Sequence, residues 1–180
     1  MLAPEPIRLP DVYADVRAIA QALNVPDRAA PVVDAMQRHL RGRPPSPSRP
    51  RLLVEWWPKP VIAPGRDSWV TDLIELAAGC NPLENEPCKS RPLGNDEVVA
   101  LQPDAVVIAW CGVPFAKYRR EVVERRPGSE RLRAVRDGRV FAIPEAYLGR
   151  PGPRLTHGLD ELVRVVEACQ LAANPEVRFD

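Results

Sequence analysis

Tryptophan is the residue whose placement in this chain most strongly indicates a binding site. Trp56, Trp57 and Trp69 all lie in the stretch RLLVEWWPKPVIAPGRDSWVTD, and Trp110 ends the apolar run DAVVIAW. Ligands bind beyond the carboxyl ends of strands in an open parallel sheet, so indoles at two strand ends predict a ligand pocket. The alternative, for Trp69 and Trp110 in particular, is that they fill the core.

The adjacent pair Trp56 and Trp57 favours the pocket. Neighbouring residues of a strand point to opposite faces, so one sheet surface cannot bury both indoles. We therefore expect at least one of them to face the mouth of the following loop.

Cysteine provides the only candidate for covalent chemistry. Cys111 follows a strand end and could act as a nucleophile, with His157 as its base. Cys80 and Cys88 could pair across the loop between them in an oxidising compartment, or remain reduced thiols. The four cysteines show no CxxC spacing and the chain has two histidines, which argues against a structural zinc site.

Composition limits the possible partners. The 180 residues include 25 Lys plus Arg and 24 Asp plus Glu, so the net charge of +1 gives no reason to expect nucleic acid or an anionic membrane as partner. No apolar run approaches the ~20 residues needed to cross a bilayer. The start MLAPEPIRLPD lacks the features of a secretory signal. The sequence therefore predicts a chain that is cytoplasmic or lacks its natural beginning.

The pattern of residues that predicts the secondary structure changes near residue 43. Apolar residues recur at helical spacing in two stretches, 11–24, with Asp11 as N-cap, and 27–42. Residues 44–50 are rich in proline and serine and indicate a connector. We predict a buried face on each helix, formed by Val12, Val16, Ile19 and Leu23 in the first and by Ala30, Val33, Met36 and Leu40 in the second.

Residues 51–180 alternate between strand and helix patterns. Strands are predicted at 51–57, 104–110 and 138–143, and helices at 67–79, 95–103, 115–126, 130–135 and 155–172. The stretch 104–110 is almost wholly apolar, as expected for the central strand of a sheet covered on both faces. The fold class is therefore α/β, a small doubly wound, mainly parallel, Rossmann-like lobe preceded by two helices.

Three segments resemble one known family in order and spacing. They are VEWWPKPVIAPGRDSWVTDLIELAAGCNPL, NDEVVALQPDAVVIAWCGVP and AVRDGRVFAIPEAYLGRPGPRL. They resemble the carboxy-terminal lobe of the cobalamin-binding, periplasmic-binding-protein-like family that serves ABC importers. The resemblance implies that residues 1–43 are the end of a first lobe with the interdomain helix, that 51–180 are the ligand-binding lobe, and that the first sheet is absent.

The resemblance also implies a function and a set of contacts. The protein would bind a corrinoid between two lobes and deliver it to a membrane permease outside the cytoplasm, without catalysis or a cofactor of its own. Haem or an iron–siderophore is the alternative ligand, and a Cys111-dependent hydrolase is the alternative function. The expected ligand contacts are Trp56, Trp57, Arg66, Ser68, Trp69, Trp110, Cys111, Glu145, Tyr147 and Arg150.

Local chemistry suits several of these residues. Arg66, Ser68 and Arg150 could donate to the amide oxygens of a corrinoid, with Pro64-Gly65 forming a tight turn and Asp67 or Ser68 capping the next helix. The stretch PEAYLGRPGPRL reads as an irregular pocket wall, although Arg150 could instead pair with an acid such as Glu145. By resemblance Glu97 meets arginines of the permease, and a solvated carboxylate at a helix start is the alternative.

Overall fold

The computed structural model describes residues 3–44 and 48–173. The predicted connector at 44–50 therefore lies partly outside the described residues. The elements in chain order are α1 (Leu9–Ala22), α2 (Ala29–His39), β1 (Leu52–Glu55), β2 (Trp57–Pro58), β3 (Val61–Pro64), α3 (Trp69–Leu76), β4 (Ser90–Leu93), α4 (Asn95–Leu101), β5 (Ala105–Ile108), α5 (Glu121–Glu124), α6 (Arg133–Arg136), β6 (Val140–Ala142), α7 (Glu145–Leu148) and α8 (Leu155–Ala173).

A parallel sheet of order β1-β5-β6 forms the centre of the fold. Leu52 pairs with Ala105 at the start of β1, and Val106 pairs with Val140 at the start of β6. All four residues of β5 are buried, so the prediction that this run forms the central strand is confirmed.

Helices cover both faces of this sheet. Ala105 and Val107 pack with α3, α8 and the first two helices on one face. On the other face Val106 and Ile108 pack with Tyr118, Val123 and Ala134, the last two from α5 and α6. Alternate residues of one strand thus supply two separate hydrophobic clusters. The predicted doubly wound α/β architecture is confirmed.

A second sheet, of antiparallel order β2-β3-β4, was not predicted. The strand predicted at 51–57 ends at Glu55, and Trp57 pairs with Ile62 in a new strand. Val61 in turn pairs with Leu93 of β4. The proline-bounded segment after the tryptophans is therefore a paired strand, because its alternate residues Val61 and Ala63 are buried in a hydrophobic cluster.

Four predictions about the helices need correction. The helix predicted at 130–135 is a 3₁₀ turn at Ser129–Arg131 followed by α6, because Leu132 has extended backbone angles between them. The helix predicted at 115–126 is a 3₁₀ turn at Phe115–Lys117 followed by the short α5, because Tyr118 has extended backbone angles between them. The stretch predicted to be irregular contains the one-turn helix α7. Asp11 is not the N-cap of α1; it lies in the first turn, and its carboxylate accepts hydrogen bonds from the backbone N–H groups of Ile7 and Arg8 at 3.0 and 2.8 Å.

The predicted buried faces of α1 and α2 are correct only in part. Val12, Val33 and Met36 are buried, whereas Leu23 is 69% exposed and Ala30 is exposed beside the buried Ala29. The two helices therefore leave apolar surface uncovered at the end of α1. Among the residues that the structure describes, no helix has the length and apolar character needed to cross a membrane.

Candidate ligand-binding cleft

An open cleft of about 400 Å³ lies where β1 and β5 end. Its volume falls within the range of small-molecule sites in proteins. Indoles form its most prominent walls. The residues that line it are Trp56, Trp57, Ile62, Asp67, Ser68, Trp69, Lys89, Ser90, Cys111 and Gly149.

Three tryptophans line this cleft, two directly after the end of β1 and one at the start of α3. Trp56 packs partly on the main core, and Trp57 continues into β2 with 41% of its surface exposed. Trp69 begins α3, and its indole N–H donates to the Leu148 carbonyl oxygen at 2.7 Å. That hydrogen bond fixes one indole and ties α3 to α7, so this wall of the cleft is preorganised.

The polar side of the cleft is the start of α3. Ser68 is the N-cap, and its hydroxyl oxygen accepts from the backbone N–H of Val70 at 3.3 Å, whereas Asp67 precedes the cap. Of the two caps considered from sequence, the serine is therefore the one used. Asp67, Lys89 and Ser90 add charged and hydroxyl groups beside the indoles. An apolar ligand with polar groups at its edge matches this mixture.

A buried hydrogen-bond network fixes the turn that leads into α3. The Asn81 amide donates to the Pro64 carbonyl oxygen at 3.0 Å and to the Thr71 hydroxyl at 2.7 Å. Thr71 donates in turn to the Gly65 carbonyl oxygen at 2.7 Å, and the Asn81 side-chain oxygen accepts from the Leu83 N–H. Because every member is buried and paired, the network rigidifies the cleft wall.

Gly65 allows the close approach of two chain segments within this wall. A Cβ at residue 65 would lie 2.5 Å from the carbonyl oxygen and 2.6 Å from the sulfur of Cys88. The segments are joined by hydrogen bonds from the Arg66 and Asp67 N–H groups to the carbonyl oxygens of Glu86 and Cys88. The sequence predicted a turn here but not its partner.

Trp110 lies in the core and does not line the cleft. It continues the face of Val106 and Ile108, because residues two apart in a strand point the same way. Its ring centroid lies 5.4 Å from that of Tyr118, whose hydroxyl donates to the Trp110 carbonyl oxygen. The core-filling alternative therefore describes its position, and its indole N–H has no hydrogen-bond partner among the described residues.

The residues predicted around α7 lie next to the cleft without lining it. Arg150 Nε lies 3.3 Å from a carboxylate oxygen of Glu145, which is the surface pairing considered as an alternative. Arg66 is exposed and contacts Asp67 at 3.3 Å. Tyr147 packs against His157, with ring centroids 5.2 Å apart. The structure thus brings together five of the ten predicted contacts, Trp56, Trp57, Ser68, Trp69 and Cys111.

Cys111 faces the cleft but is poorly suited to act as a nucleophile. Burial raises the pKa of its thiol, and the Glu145 carboxylate raises it further while Arg150 opposes the shift. A raised pKa lowers the fraction of reactive thiolate. Among the described contacts, no hydrogen bond joins it to His157. All four cysteines are free thiols, and no group of three or more potential metal ligands occurs within the described part of the chain.

Directly before the cleft tryptophans in the chain, Glu55 forms a buried ion pair that the sequence did not reveal. Arg126 donates two hydrogen bonds, at 2.7 and 2.9 Å, to the carboxylate of Glu55, and both side chains are buried. Glu55 is the last residue of β1, directly before Trp56. A lone glutamate in a strand pattern and one arginine among many gave no signal of this pairing.

Glu97 lies in the first turn of α4 and is partly exposed. Its carboxylate oxygen accepts a hydrogen bond from the Arg91 guanidinium at 2.5 Å, and this bond holds the pKa of the Glu97 carboxyl below its usual value. The residue is therefore ionised and available at the surface, with one cation already beside it.

Five lining residues were not predicted as ligand contacts, namely Ile62, Asp67, Lys89, Ser90 and Gly149, and of these Asp67 was considered only as a helix cap. Ile62, Lys89 and Ser90 reach the cleft because β3 and β4 pair in the antiparallel sheet, in which Ile62 faces Pro92 and Pro64 faces Ser90. The alternation of VIAP was the available signal for that sheet. Its pairing with the distant SRPL segment had no local signature.

Comparison with known proteins identifies the family. A family model described as periplasmic binding protein matches residues 8–147. The chain belongs to the periplasmic binding protein family. An uncharacterized ABC transporter substrate-binding lipoprotein of this kind, YvrC from Bacillus subtilis, is 24% identical over 163 residues, which cover 87% of this chain and 50% of YvrC.

Solved periplasmic binding proteins share the fold. The vitamin B12 binding protein BtuF of Vibrio cholerae superposes with a TM-score of 0.73 at 19% identity, covering 93% of this chain and 64% of that protein. The heme-binding protein RhuT from Roseiflexus sp. RS-1 gives a TM-score of 0.75 at 22% identity, covering 91% and 65%. The chain spans about half the length of YvrC and under two thirds of BtuF.

Proposed function

We propose that this chain is part of the substrate-binding component of an ABC importer and that its cleft contacts cobalamin or a related corrinoid. The family supports the transport role, and the three cleft indoles support a large, flat, mainly apolar ligand. The proposed role involves binding and delivery, without catalysis, in an extracytoplasmic compartment.

The donor set of the cleft favours a chelate that brings all its own metal ligands. Proteins hold haem iron through His, Cys, Met or Tyr side chains. Of these types only Cys111 is among the lining residues, and its raised pKa disfavours the thiolate. A corrinoid is a broad macrocycle fringed with amides, for which Ser68 and Lys89 are suitable donors. Haem or an iron–siderophore remains the second candidate, because RhuT has the same fold and binds heme.

Isothermal titration calorimetry of the chain with cyanocobalamin, haemin and a ferric hydroxamate tests the ligand. We expect cyanocobalamin to bind with the highest affinity. Trp57→Ala should weaken that binding about 10-fold or more, equivalent to ~1.4 kcal/mol, because it removes an exposed aromatic contact. Trp110→Phe is the matched control: the Trp110 indole is buried outside the cleft and its N–H has no hydrogen-bond partner among the described residues, so affinity should be unchanged.

Other outcomes would reject the corrinoid. Tighter binding of haemin or the hydroxamate would mean that haem or an iron–siderophore, and not a corrinoid, is the ligand of the cleft. No heat with any of the three, from protein shown to be folded by circular dichroism, would contradict a chelate-binding role for this chain.

Glu97 is the proposed contact with the permease. Its ionised carboxylate at an exposed helix start could form charge-paired contacts with arginines of a partner. We expect Glu97→Gln to weaken binding to the partner permease in detergent micelles about 10-fold, while Glu84→Gln, a comparable surface carboxylate, has little effect. Equal affinities for the two variants would exclude Glu97 from the interface.

A further inference from the structure

The near-neutral chain has a strongly uneven distribution of charge. Residues 115–139 contain nine Lys or Arg and four Asp or Glu, whereas the whole chain has a net charge of only +1. The rest of the molecule is consequently net negative. We call residues 115–139 the basic layer.

These residues form one layer of the fold. Tyr118, Val123 and Ala134 are buried against Val106 and Ile108 of the parallel sheet. The guanidinium of Arg120 donates to the Gly138 carbonyl oxygen at 2.9 Å, which holds the start of α5 against the turn after α6. The inward side is therefore mainly apolar, and the exposed side chains of the layer face away from the sheet, on the side opposite α3 and α8.

The outward side is mainly cationic. Only Arg126 and Arg139 of the nine bases are buried. Some exposed bases have acidic neighbours, as in Arg120 with Glu124 at 3.6 Å and Arg131 with Asp96 at 3.2 Å. Lys117 and Arg125 form no ion pair within the described residues. The exposed bases are Lys117, Arg119, Arg120, Arg125, Arg131, Arg133 and Arg136.

Two large apolar side chains project from the same layer. Phe115 is 51% exposed in the 3₁₀ turn, and Val122 is 44% exposed on α5 while its neighbour Val123 is fully buried. Exposed bases flank Val122 in the chain, Arg119 and Arg120 before α5 and Arg125 directly after it. Exposed apolar residues among cations are the combination that binds at the headgroup boundary of a membrane.

We propose that the basic layer is a docking surface for an anionic phospholipid membrane. The cations would lie against lipid phosphates, and Phe115 and Val122 would enter the headgroup boundary. None of these residues lines the cleft, so the inference does not depend on which ligand the cleft takes. Two exposed apolar side chains set among cations are too few to form the apolar core of a protein–protein interface, and this favours lipid.

Vesicle flotation of the full chain tests the proposal. We expect binding to phosphatidylcholine vesicles containing about one-third phosphatidylglycerol, little binding to pure phosphatidylcholine, and loss of binding at high salt. Lys117→Glu with Arg125→Glu should lower the partition coefficient about 10-fold or more. The matched control, Arg17→Glu with Arg28→Glu, makes the same charge change in α1 and in the turn before α2 and should alter the partition coefficient less than about twofold.

The apolar contribution is tested separately. Phe115→Ser should weaken vesicle binding about fivefold at constant charge, whereas Leu23→Ser, at another exposed apolar site, should not. Equal binding to neutral and anionic vesicles, or equal losses in the two charge variants, would overturn the proposal. Binding to soluble polyglutamate without vesicle binding would overturn it in favour of an acidic protein partner. Circular dichroism establishes that each variant is folded.

Discussion

Gly65 is the residue on which the cleft wall depends most directly. It allows the backbone before α3 to approach Cys88, and the Asn81 and Thr71 side chains fix that approach from the other side. The backbone of residue 65 has ordinary negative φ, so close approach and not a left-handed turn explains the glycine.

Gly65→Ala should destabilise the fold. The added methyl would overlap backbone and sulfur atoms of Cys88, and overpacking of this kind costs about 1–3 kcal/mol. The free energy of unfolding from urea denaturation is the measurement. Gly152→Ala is the control, because a Cβ at residue 152 meets no atom within 4 Å. Equal stability of the two variants would contradict this explanation.

The buried phenol of Tyr118 should make the stability of the fold depend on pH. Burial raises the pKa of its phenol from 10.0 to about 12. The folded state therefore holds the proton more tightly than the unfolded state, and the stabilisation, complete below about pH 10, is lost as pH rises through 12. Tyr118→Phe should flatten the fall in unfolding free energy between these pH values, and Phe115→Leu, which keeps the hydroxyl, should not.

At the scale of elements, the buried ion pair joins two parts of the lobe. Glu55 ends the first parallel strand, and Arg126 follows α5 in the crossover to β6. Two short hydrogen bonds fix the crossover to the strand end that precedes Trp56 and Trp57. A partner for each charge is required because a buried unpaired charge is strongly unfavourable.

Breaking this pair from one side should be costly. Arg126→Met leaves the Glu55 carboxylate buried without a partner and should lower the free energy of unfolding by about 3–5 kcal/mol. The double change Glu55→Met with Arg126→Met should be less destabilising than the single one. Arg164→Met, which breaks an exposed pair with Glu161, should cost less than about 1 kcal/mol. A double variant worse than the single variant would contradict the charge-burial explanation.

At the scale of the whole molecule, the first two helices pack on the lobe by one side only. Val33 is fully buried, and Asp72 of α3 accepts hydrogen bonds from the Arg8 side chain at 2.6 Å and the Leu9 N–H at 2.8 Å. Leu23, at the end of α1, is largely exposed. Apolar periodicity alone had placed Leu23 on the buried face of its helix.

Substitutions at the exposed Leu23 and at the buried Val33 should therefore differ in their effect on the free energy of unfolding. Leu23→Ser should change the free energy of unfolding by less than about 0.5 kcal/mol, because the side chain is already in contact with solvent. Val33→Ser should lower it by about 2 kcal/mol, because it removes buried methyl groups and buries a hydroxyl. Thermal or urea denaturation measures both, and a large loss in Leu23→Ser would mean that α1 packs differently.

The sequence predicted more of the fold than of the cleft. The run at 104–110 indicated a central strand because burial on both faces leaves a continuous apolar signature. Continuous apolar character, however, does not show where a strand ends, so the end of β1 at Glu55 and the strand from Val61 were missed. Half of the predicted ligand contacts line the cleft. Trp110 does not, because it continues the face of β5 that packs against Tyr118 and Val123.

What the sequence determined by itself is what depends on local periodicity: the α/β class, the order of the elements and the placement of three indoles in one segment. The tertiary structure decided which groups meet. Pairing of β3 with β4 brings Ser90 to the cleft that Trp57 also lines, and pairing beyond β1 and β5 brings the Cys111 N–H to the Trp56 carbonyl oxygen. Such contacts join residues far apart in the chain, and a local pattern of residues does not specify its distant partner.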